Sequence, residues 1–216
     1  RQMNNIYDIL SLMLLTSSIV LITNKRALSY IRTFQVQSII IIVGALIMSA
    51  NNHHIDLLIV SAIMLFLKVI YIPRYLRSTH NKVNHEIHKD FYLNIPILSF
   101  FACLLVAIVY LTISGIPLIS AKDITTPLTC NLSIIFIGLL FMISRKDAIG
   151  QIIGFLVIEN GLFSTAHLTT HGMPLIIDLG IFIDLLTAII IMSMIVFRIN
   201  TSFQSTDTDK LHNLRG

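Results

Sequence analysis

The sequence predicts an all-α integral membrane protein with seven transmembrane helices, its N-terminus outside and its C-terminus in the cytoplasm. Three observations lead to this fold class: a low content of charged residues, seven long apolar runs, and an uneven distribution of basic residues between the loops. Of the 216 residues, 55% are hydrophobic and only 12% are charged. A soluble domain usually carries about 25% charged residues, so this composition favours a chain that lies in lipid.

The apolar runs are long enough to become membrane-spanning helices, which need roughly 20 residues each. They fall at about 3–22, 33–50, 55–73, 91–113, 124–144, 148–168 and 175–197. The first run has no basic segment before it and no small-residue cleavage site after it, so we expect a retained helix and not a signal peptide. In the sixth run, Gly150 and Gly154 predict a face for close contact with another helix.

Basic residues are concentrated in alternate loops. Between the spans, 12 of the 15 basic residues fall on one side: Lys25, Arg26, Arg32, Arg74, Arg77, Lys82, Lys89, Arg145, Lys146, Arg198, Lys210 and Arg215. The other side carries Arg1 and Lys122, and Lys68 lies inside a span. Cytoplasmic loops are enriched in lysine and arginine, which predicts the stated orientation. The net charge of +4 reflects this bias, and no nucleic-acid partner is expected.

The longest loop predicts the division of the chain. Residues from about 74 to 90 are polar and include three histidines. We therefore expect three N-terminal helices and this cytoplasmic loop in 1–90, four C-terminal helices in 91–199, and a polar cytoplasmic tail in 200–216.

Two carboxylates are predicted to lie deep in the membrane. Glu159 follows the start of span 6 by about 16 Å, and Asp184 follows the start of span 7 by roughly 13 Å at the rise of an α-helix. Because spans 6 and 7 are antiparallel, both groups fall near the midplane. Ionisable residues at this depth are costly and usually serve an ion pathway. The alternative is a structural hydrogen bond that joins two helices.

Four further polar residues have two interpretations each. Lys68 lies on the cytoplasmic half of span 3, where it either snorkels to the interface or pairs with the buried carboxylates. Asp178 lies within a turn of the outer surface, as a helix-end carboxylate or as a path member. Asn160, and more weakly Asn131, could join helices or hold a chain of water. The predicted proton path thus comprises Glu159, Asp184, Lys68, Asp178 and Asn160.

The sequence predicts no catalytic, cofactor or metal site. His167 and His171 are four residues apart and would share a helix face, but the nearby Gly172 and Pro174 favour a loop there over a metal site. The sequence contains no glycine-rich phosphate loop, no cysteine cluster and no haem-type histidine pair in opposed spans. We expect any redox chemistry to take place on other chains.

Three segments resemble one membrane-protein family. They are LFLKVIYIP, the ending DTDKLHNLRG, and GFLVIENGLFSTAHLTTHGMPLIIDLGIFIDLLTAIIIMSMIVFRI. They resemble component E of hydrogenase-4 and formate hydrogenlyase-type complexes. The last three spans of that family are similar to the small three-helix subunit of respiratory complex I and of multisubunit cation/proton antiporters. The resemblance implies that Glu159 matches the first of two path glutamates in that subunit, with Asp184 as the candidate for the second and Asp178 as its competitor.

The resemblance implies a non-catalytic membrane-arm subunit of a complex I-like, group 4 hydrogenase-related assembly. It would provide part of a proton-translocation path in a bacterial or archaeal cytoplasmic (inner) membrane and would dock antiporter-like subunits. A quinone-channel subunit and soluble Fe–S or hydrogenase-like subunits would be separate chains.

The alternative is a stand-alone seven-helix transporter or receptor. A retinal-binding receptor is disfavoured because the buried lysine lies in span 3 and not in the last span. A transporter is disfavoured because the sequence has no clear internal repeat.

Overall fold

The computed structural model describes residues 2–52, 62, 65–83, 94–116, 124–170, 180 and 191. These residues form α1 (Gln2–Thr23), α2 (Ala27–Asn52), a π-helical segment (Leu65–Tyr71), α3 (Ile72–Val83), α4 (Ile95–Ser114), α5 (Thr125–Ser144) and α6 (Ala148–Thr170). Because this part of the chain contains helices and no strand, the all-α prediction is confirmed for it. The π-helical segment continues directly into α3.

Five of these helices are long and apolar enough to cross a membrane. Their membrane-compatible stretches are Ile6–Thr23, Ala27–Ile47, Ile95–Ser114, Thr125–Ser144 and Ile149–Thr169. They correspond to predicted spans 1, 2, 4, 5 and 6, so the chain is a multi-pass membrane protein. For span 3, the structure describes mainly the second half, and span 7 lies outside the described residues except at 180 and 191.

One predicted boundary was wrong. The second apolar run was placed at about 33–50, whereas α2 begins at Ala27. The six additional residues include Tyr30 and Arg32, which are polar enough to end a hydropathy run but do not interrupt backbone hydrogen bonding. Averaged over Ala27–Ile47, the hydropathy still suits a membrane, so the single charged residue Arg32 made the predicted run too short.

The chain divides into two compact units, 1–178 and 179–216. All six helices and the π-helical segment belong to the first unit. The division of the sequence into 1–90, 91–199 and 200–216 stays a prediction.

Helix α5 is central to the first unit, where it packs against α1, α4 and α6. Its contact with α6 is close because of glycine. A Cβ atom added at Gly154 would lie 2.7–2.8 Å from Met142, and one added at Gly161 would lie 3.1 Å from the Asn131 carbonyl oxygen. Glycine thus lets the two backbones approach each other. Gly150 instead lies against Arg145 and Asp147, so only Gly154 of the predicted pair serves the helix contact.

The loop between α1 and α2 is bonded to the loop between α5 and α6. Arg145 is completely buried, and its Nη2 donates a hydrogen bond to the Asn24 carbonyl at 2.7 Å. Its guanidinium lies 4.8 Å from the centre of the Tyr30 ring and 4.2 Å from that of Phe141, within the range of a cation–π interaction. The Tyr30 hydroxyl donates to Asp147 Oδ2 at 2.6 Å. These contacts hold both loops at one end of the bundle.

Asp147, the carboxylate of this cluster, also caps the N-terminus of α6. Asp147 Oδ2 accepts a hydrogen bond from the backbone N–H of Gly150 at 2.7 Å, which satisfies one of the donors left open at a helix N-terminus. The same oxygen therefore caps α6 and binds Tyr30 of α2.

Many large apolar side chains lie on the outside of the bundle. The most exposed belong to α4 and α5, including Phe100 at 67%, Leu111 at 69% and Ile143 at 66% exposure. An apolar exterior of this kind suits contact with lipid or with other membrane subunits.

We predict that Gly154→Ala lowers the free energy of unfolding by about 1–3 kcal/mol, the usual cost of overpacking. The added methyl group would overlap backbone atoms of Met142, so α5 and α6 must separate. The measurement is the thermal unfolding of the detergent-solubilised protein. Gly115→Ala is the matched control, because its Cβ would lie 3.4–3.5 Å from its nearest neighbours. Equal stability of the two variants would contradict the close α5–α6 contact.

Candidate functional site

Helix α6 carries Glu159 into the interior of the bundle. The side chain is 5% exposed, and that of the adjacent Asn160 is 2% exposed. Eleven residues separate Ala148 from Glu159, which is about 16 Å along the helix axis. The carboxylate therefore lies near the middle of a membrane-compatible helix, as its place in the sequence predicted.

The π-helical segment carries Lys68, which is 2% exposed. A π-helix forms i→i+5 hydrogen bonds in place of i→i+4, and short π-helical stretches are frequent at functional sites. Gln35 of α2 supports this segment: its Nε2 donates to the Val69 carbonyl at 2.9 Å. Its Oε1 accepts a hydrogen bond from Arg77 Nη2 of α3. One glutamine thus fixes both the π-helical segment and the helix that follows it.

Lys68 and Glu159 form a buried ion pair. Lys68 Nζ lies 3.0 Å from Glu159 Oε1 and donates a hydrogen bond to Asn160 Oδ1 at 3.1 Å. Of the two interpretations of Lys68, the structure therefore agrees with pairing to a buried carboxylate, since the ammonium lies inside the bundle. Neither group keeps its hydration inside the bundle, which makes burial costly. The attraction between the two charges offsets part of that cost.

Asn160 places a further donor beside the pair. Its Oδ1 accepts from Lys68, whereas its buried Nδ2 has no hydrogen-bond partner among the residues that the structure describes. A buried amide donor ordinarily has a partner in protein or in ordered water. This donor is therefore suited to bind a water molecule next to the ion pair.

A second cluster of polar side chains lies closer to the C-terminal end of α6. Ser164 Oγ donates to Asn131 Oδ1 of α5 at 3.0 Å. Both residues line a cavity of about 40 Å³ between α1, α2, α5 and α6. The cavity is also lined by Tyr7, Ser11 and His167, and the His167 ring stacks on Phe163 with their centres 6.1 Å apart.

Sequence reasoning missed three residues of this second group. Tyr7, Ser11 and Ser164 are not charged, and hydroxyl groups are common in membrane helices, so hydropathy does not mark them. Only the sequence of α6 contains a pattern that could have indicated this cluster. Asn160, Ser164 and His167 occur at i, i+4 and i+7, which places them on one helix face. Asn131 was identified as a polar residue, but its partner was not.

Of the five residues predicted for the proton path, the structure brings together Lys68, Glu159 and Asn160. Asp178 and Asp184 lie outside the described residues, as does His171. The second carboxylate of the path therefore stays a prediction.

The chain is similar to hydrogenase-4 component E along nearly its whole length. It is 24% identical to the Escherichia coli K12 protein of that name over 209 residues, which are 97% of this chain and 96% of that protein. The match to hydrogenase-4 component E of Shigella flexneri has the same identity and coverage. The predicted resemblance to component E is confirmed.

A second relative matches more strongly over a shorter region. An uncharacterized protein of Mycobacterium tuberculosis is 40% identical over 83 residues, which are 38% of each chain. The chain thus aligns with well under half of that relative. No protein-family model matches the chain, and no solved structure matches it.

We predict that Lys68→Met lowers the free energy of unfolding by about 3 kcal/mol, because removal of one partner leaves the other charge buried without compensation. The double variant Lys68→Met/Glu159→Met should recover most of this loss, since it removes both charges. The measurement is a double-mutant cycle of thermal or denaturant unfolding in one detergent. A double variant that is less stable than Lys68→Met would contradict the coupling of the two charges.

Proposed function

We propose that the chain is a non-catalytic membrane-arm subunit of a complex I-like, hydrogenase-related assembly, in which Lys68 and Glu159 form one step of a proton-translocation path. The buried ion pair in the middle of a membrane-compatible helix is the observation that carries this proposal. The full-length similarity to hydrogenase-4 component E supports it, since "component" denotes one part of a larger hydrogenase.

An ion pair is an expensive way to join two helices in a membrane. A single charge at the centre of a membrane helix costs about 2.5–3.5 kcal/mol on insertion scales, and apolar replacements of buried pairs are often as stable. Packing alone therefore does not explain Lys68 and Glu159. A role in moving charge does, because such a role requires ionisable groups.

The pair couples a proton to a local rearrangement. With both groups ionised, the pair has no net charge, and Lys68 is held by Glu159 and Asn160. A proton that binds Glu159 removes the attraction and leaves an uncompensated ammonium in the core. The ammonium then favours release of that proton, so Glu159 holds it transiently and passes it on.

We extend the proposal to the topology: seven spans, with the N-terminus outside and the C-terminus in the cytoplasm of a bacterial or archaeal inner membrane. The contact of Arg145 with Asn24 supports it. This contact holds the loop with Lys25 and Arg26 at the same end of the bundle as the loop with Arg145 and Lys146. Two basic loops at one end are the pattern of a cytoplasmic surface.

The proposed partners are antiporter-like membrane subunits, which would dock on the exposed apolar helix faces. A quinone-channel subunit and soluble Fe–S or hydrogenase-like subunits would complete the assembly. The proposal assigns the electron-transfer chemistry to those chains and assigns none to this one.

The competing proposal is a stand-alone transporter or receptor. Purification of the tagged chain from its native membrane in a mild detergent separates the two. Recovery with antiporter-like and Fe–S proteins supports the subunit, and recovery as a lone chain supports the alternative.

We predict that Glu159→Gln leaves the assembly intact and lowers proton translocation at least tenfold. Glutamine keeps the size and hydrogen bonding of glutamate but cannot bind and release a proton. The measurement is proton uptake by vesicles containing the purified assembly, followed with a pH-sensitive dye.

Two further variants separate loss of titration from loss of the ion pair. Glu159→Asp keeps a titratable group and should retain more translocation than Glu159→Gln. Lys68→Met/Glu159→Gln has no unbalanced charge, so it should assemble but still fail to translocate. Normal translocation by Glu159→Gln would refute the proposed role of the pair.

For the second carboxylate, we predict that Asp184→Asn lowers translocation strongly and Asp178→Asn only weakly. Asp184 falls near the predicted midplane, whereas Asp178 lies within a turn of the predicted outer surface. Both variants should assemble normally in the same vesicle assay. The reverse order of effects would transfer the role to Asp178.

A further inference from the structure

The cavity between α1, α2, α5 and α6 is lined mainly by apolar surface, and it contains one cluster of polar side chains where water can bind. Its volume is about 40 Å³, and one water molecule needs at least about 10–15 Å³. Its polar lining consists of Tyr7, Ser11, Asn131, Ser164 and His167. Water enters a cavity when several polar groups are available to bind it, and these side chains supply both donors and acceptors.

Polar side chains on one face of α6 lie between the ion pair and the cavity. Asn160 contacts Lys68, Ser164 lies one turn further along, and His167 lies on the next turn. His167 follows Asn160 by seven positions, which is about 10 Å along the helix axis. His167 is two residues from Thr169, where the membrane-compatible stretch ends. Polar groups therefore extend from the ion pair to one end of the helix.

In the other direction, α6 is apolar inside the bundle. Ile152, Ile153, Leu156 and Val157 are all buried, with at most 5% exposure. Beyond them, just before the start of α6, Arg145 is buried and bonded to the Asn24 carbonyl. Along the inner face of α6, apolar side chains therefore precede Glu159 and polar side chains follow it. Neighbouring helices also contribute buried polar groups, because Gln37 of α2 donates to Ser18 of α1 at 2.7 Å.

We infer that this cavity is a water-filled half-channel that carries protons between Glu159 and the membrane surface at the C-terminal end of α6. The inference rests on the proposed function and adds the direction and the residues of the route. In the proposed orientation this surface is the outer one. The route then joins the ion pair to this surface.

Each transfer along this route moves one proton and no electrons. A proton leaves the carboxyl group of Glu159 for a water molecule held by Asn160 and passes to water in the cavity beside Ser164 and Asn131. One O–H bond breaks and one forms at each step. His167 can accept the proton on a ring nitrogen and release it at the surface. The amide and hydroxyl groups hold the water in place and need not ionise.

The ionisable groups near the cavity come from three helices. Helix α1 contributes Tyr7 in the lining and the adjacent Asp8, and α5 contributes the buried Cys130 next to Asn131. Helix α6 contributes His167. From α2 the lining is apolar, with Ile40, Ile41, Gly44 and Ala45.

Cysteine labelling tests the presence and direction of the half-channel without measuring activity. The background is Cys103→Ser/Cys130→Ala, because these are the chain's two cysteines. The probe is 2-(trimethylammonium)ethyl methanethiosulfonate, which is charged and does not cross membranes, added to one side of oriented vesicles. Modification is read as a mass increase of the intact chain.

We predict that Ser164→Cys is modified from the outer side at least tenfold faster than from the inner side. Val157→Cys, which lies on the apolar side of Glu159, should not react from either side. Modification of Ser164→Cys from the inner side would overturn the direction. Failure to react from both sides, or equal reaction of Val157→Cys, would overturn the half-channel itself.

Translocation by the intact assembly provides the second test. Ser164→Val removes the hydroxyl and fills part of the cavity, so it should lower translocation at least tenfold. Thr165→Val is the matched control: it also loses a hydroxyl, but the Thr165 hydroxyl donates to the Gly161 carbonyl of its own helix and does not line the cavity. Ser164→Ala removes the hydroxyl without added bulk and should show a smaller loss, which guards against misfolding of the valine variant.

The outcomes distinguish the two proposals. If Glu159→Gln stops translocation while Ser164→Val and Ser164→Ala translocate normally, the half-channel is wrong and the proposed function stands. If Glu159→Gln also translocates normally, the proposed function is wrong. Equal losses in Ser164→Val and Thr165→Val would indicate a general effect on α6 and overturn the inference.

Discussion

The ion pair between Lys68 and Glu159 constrains the rest of the described structure. Neither charge is tolerated alone at this depth, so the π-helical segment and α6 must lie within one salt-bridge length of each other. That requirement fixes the position of α2 as well, because Gln35 bonds to the π-helical segment and to Arg77 beyond it. The polar contacts that join α2, the π-helical segment, α3 and α6 are thus linked to one pair of charges, whereas the contacts of Arg145 and the Ser164–Asn131 hydrogen bond form separate groups.

Glycine makes this arrangement possible. Gly154 and Gly161 bring the backbones of α5 and α6 together on either side of Glu159, which leaves α5 in close contact with one face of α6. The π-helical segment, which packs against α2, approaches Glu159 from the face of α6 that lies toward α2. Apolar helices in lipid gain little from hydrophobic association alone, so close packing and buried polar contacts must supply the specificity. This chain uses both around the same residue.

The side chains of α6 itself differ on the two sides of the pair. Apolar residues and the Arg145 cluster lie toward its start, whereas hydroxyl, amide and imidazole groups lie toward its end. In the proposed half-channel, this difference places the proton route toward the C-terminal end of α6. Neighbouring helices add further buried polar groups, since Gln37 of α2 donates to Ser18 of α1 at 2.7 Å.

The sequence by itself determined the membrane class, five of the helices and the depth of Glu159, because apolar run length and helical rise are properties of the local chain. It also carried the family resemblance. Seven spans, the orientation and the roles of Asp178 and Asp184 stay predictions. Only the tertiary structure decided that Lys68 points to Glu159, that the lysine lies on a π-helical segment, and that Ser164 meets Asn131 at a cavity. The physical reason is that in lipid the two faces of an apolar helix have nearly the same hydropathy, so packing against neighbours selects which face is buried.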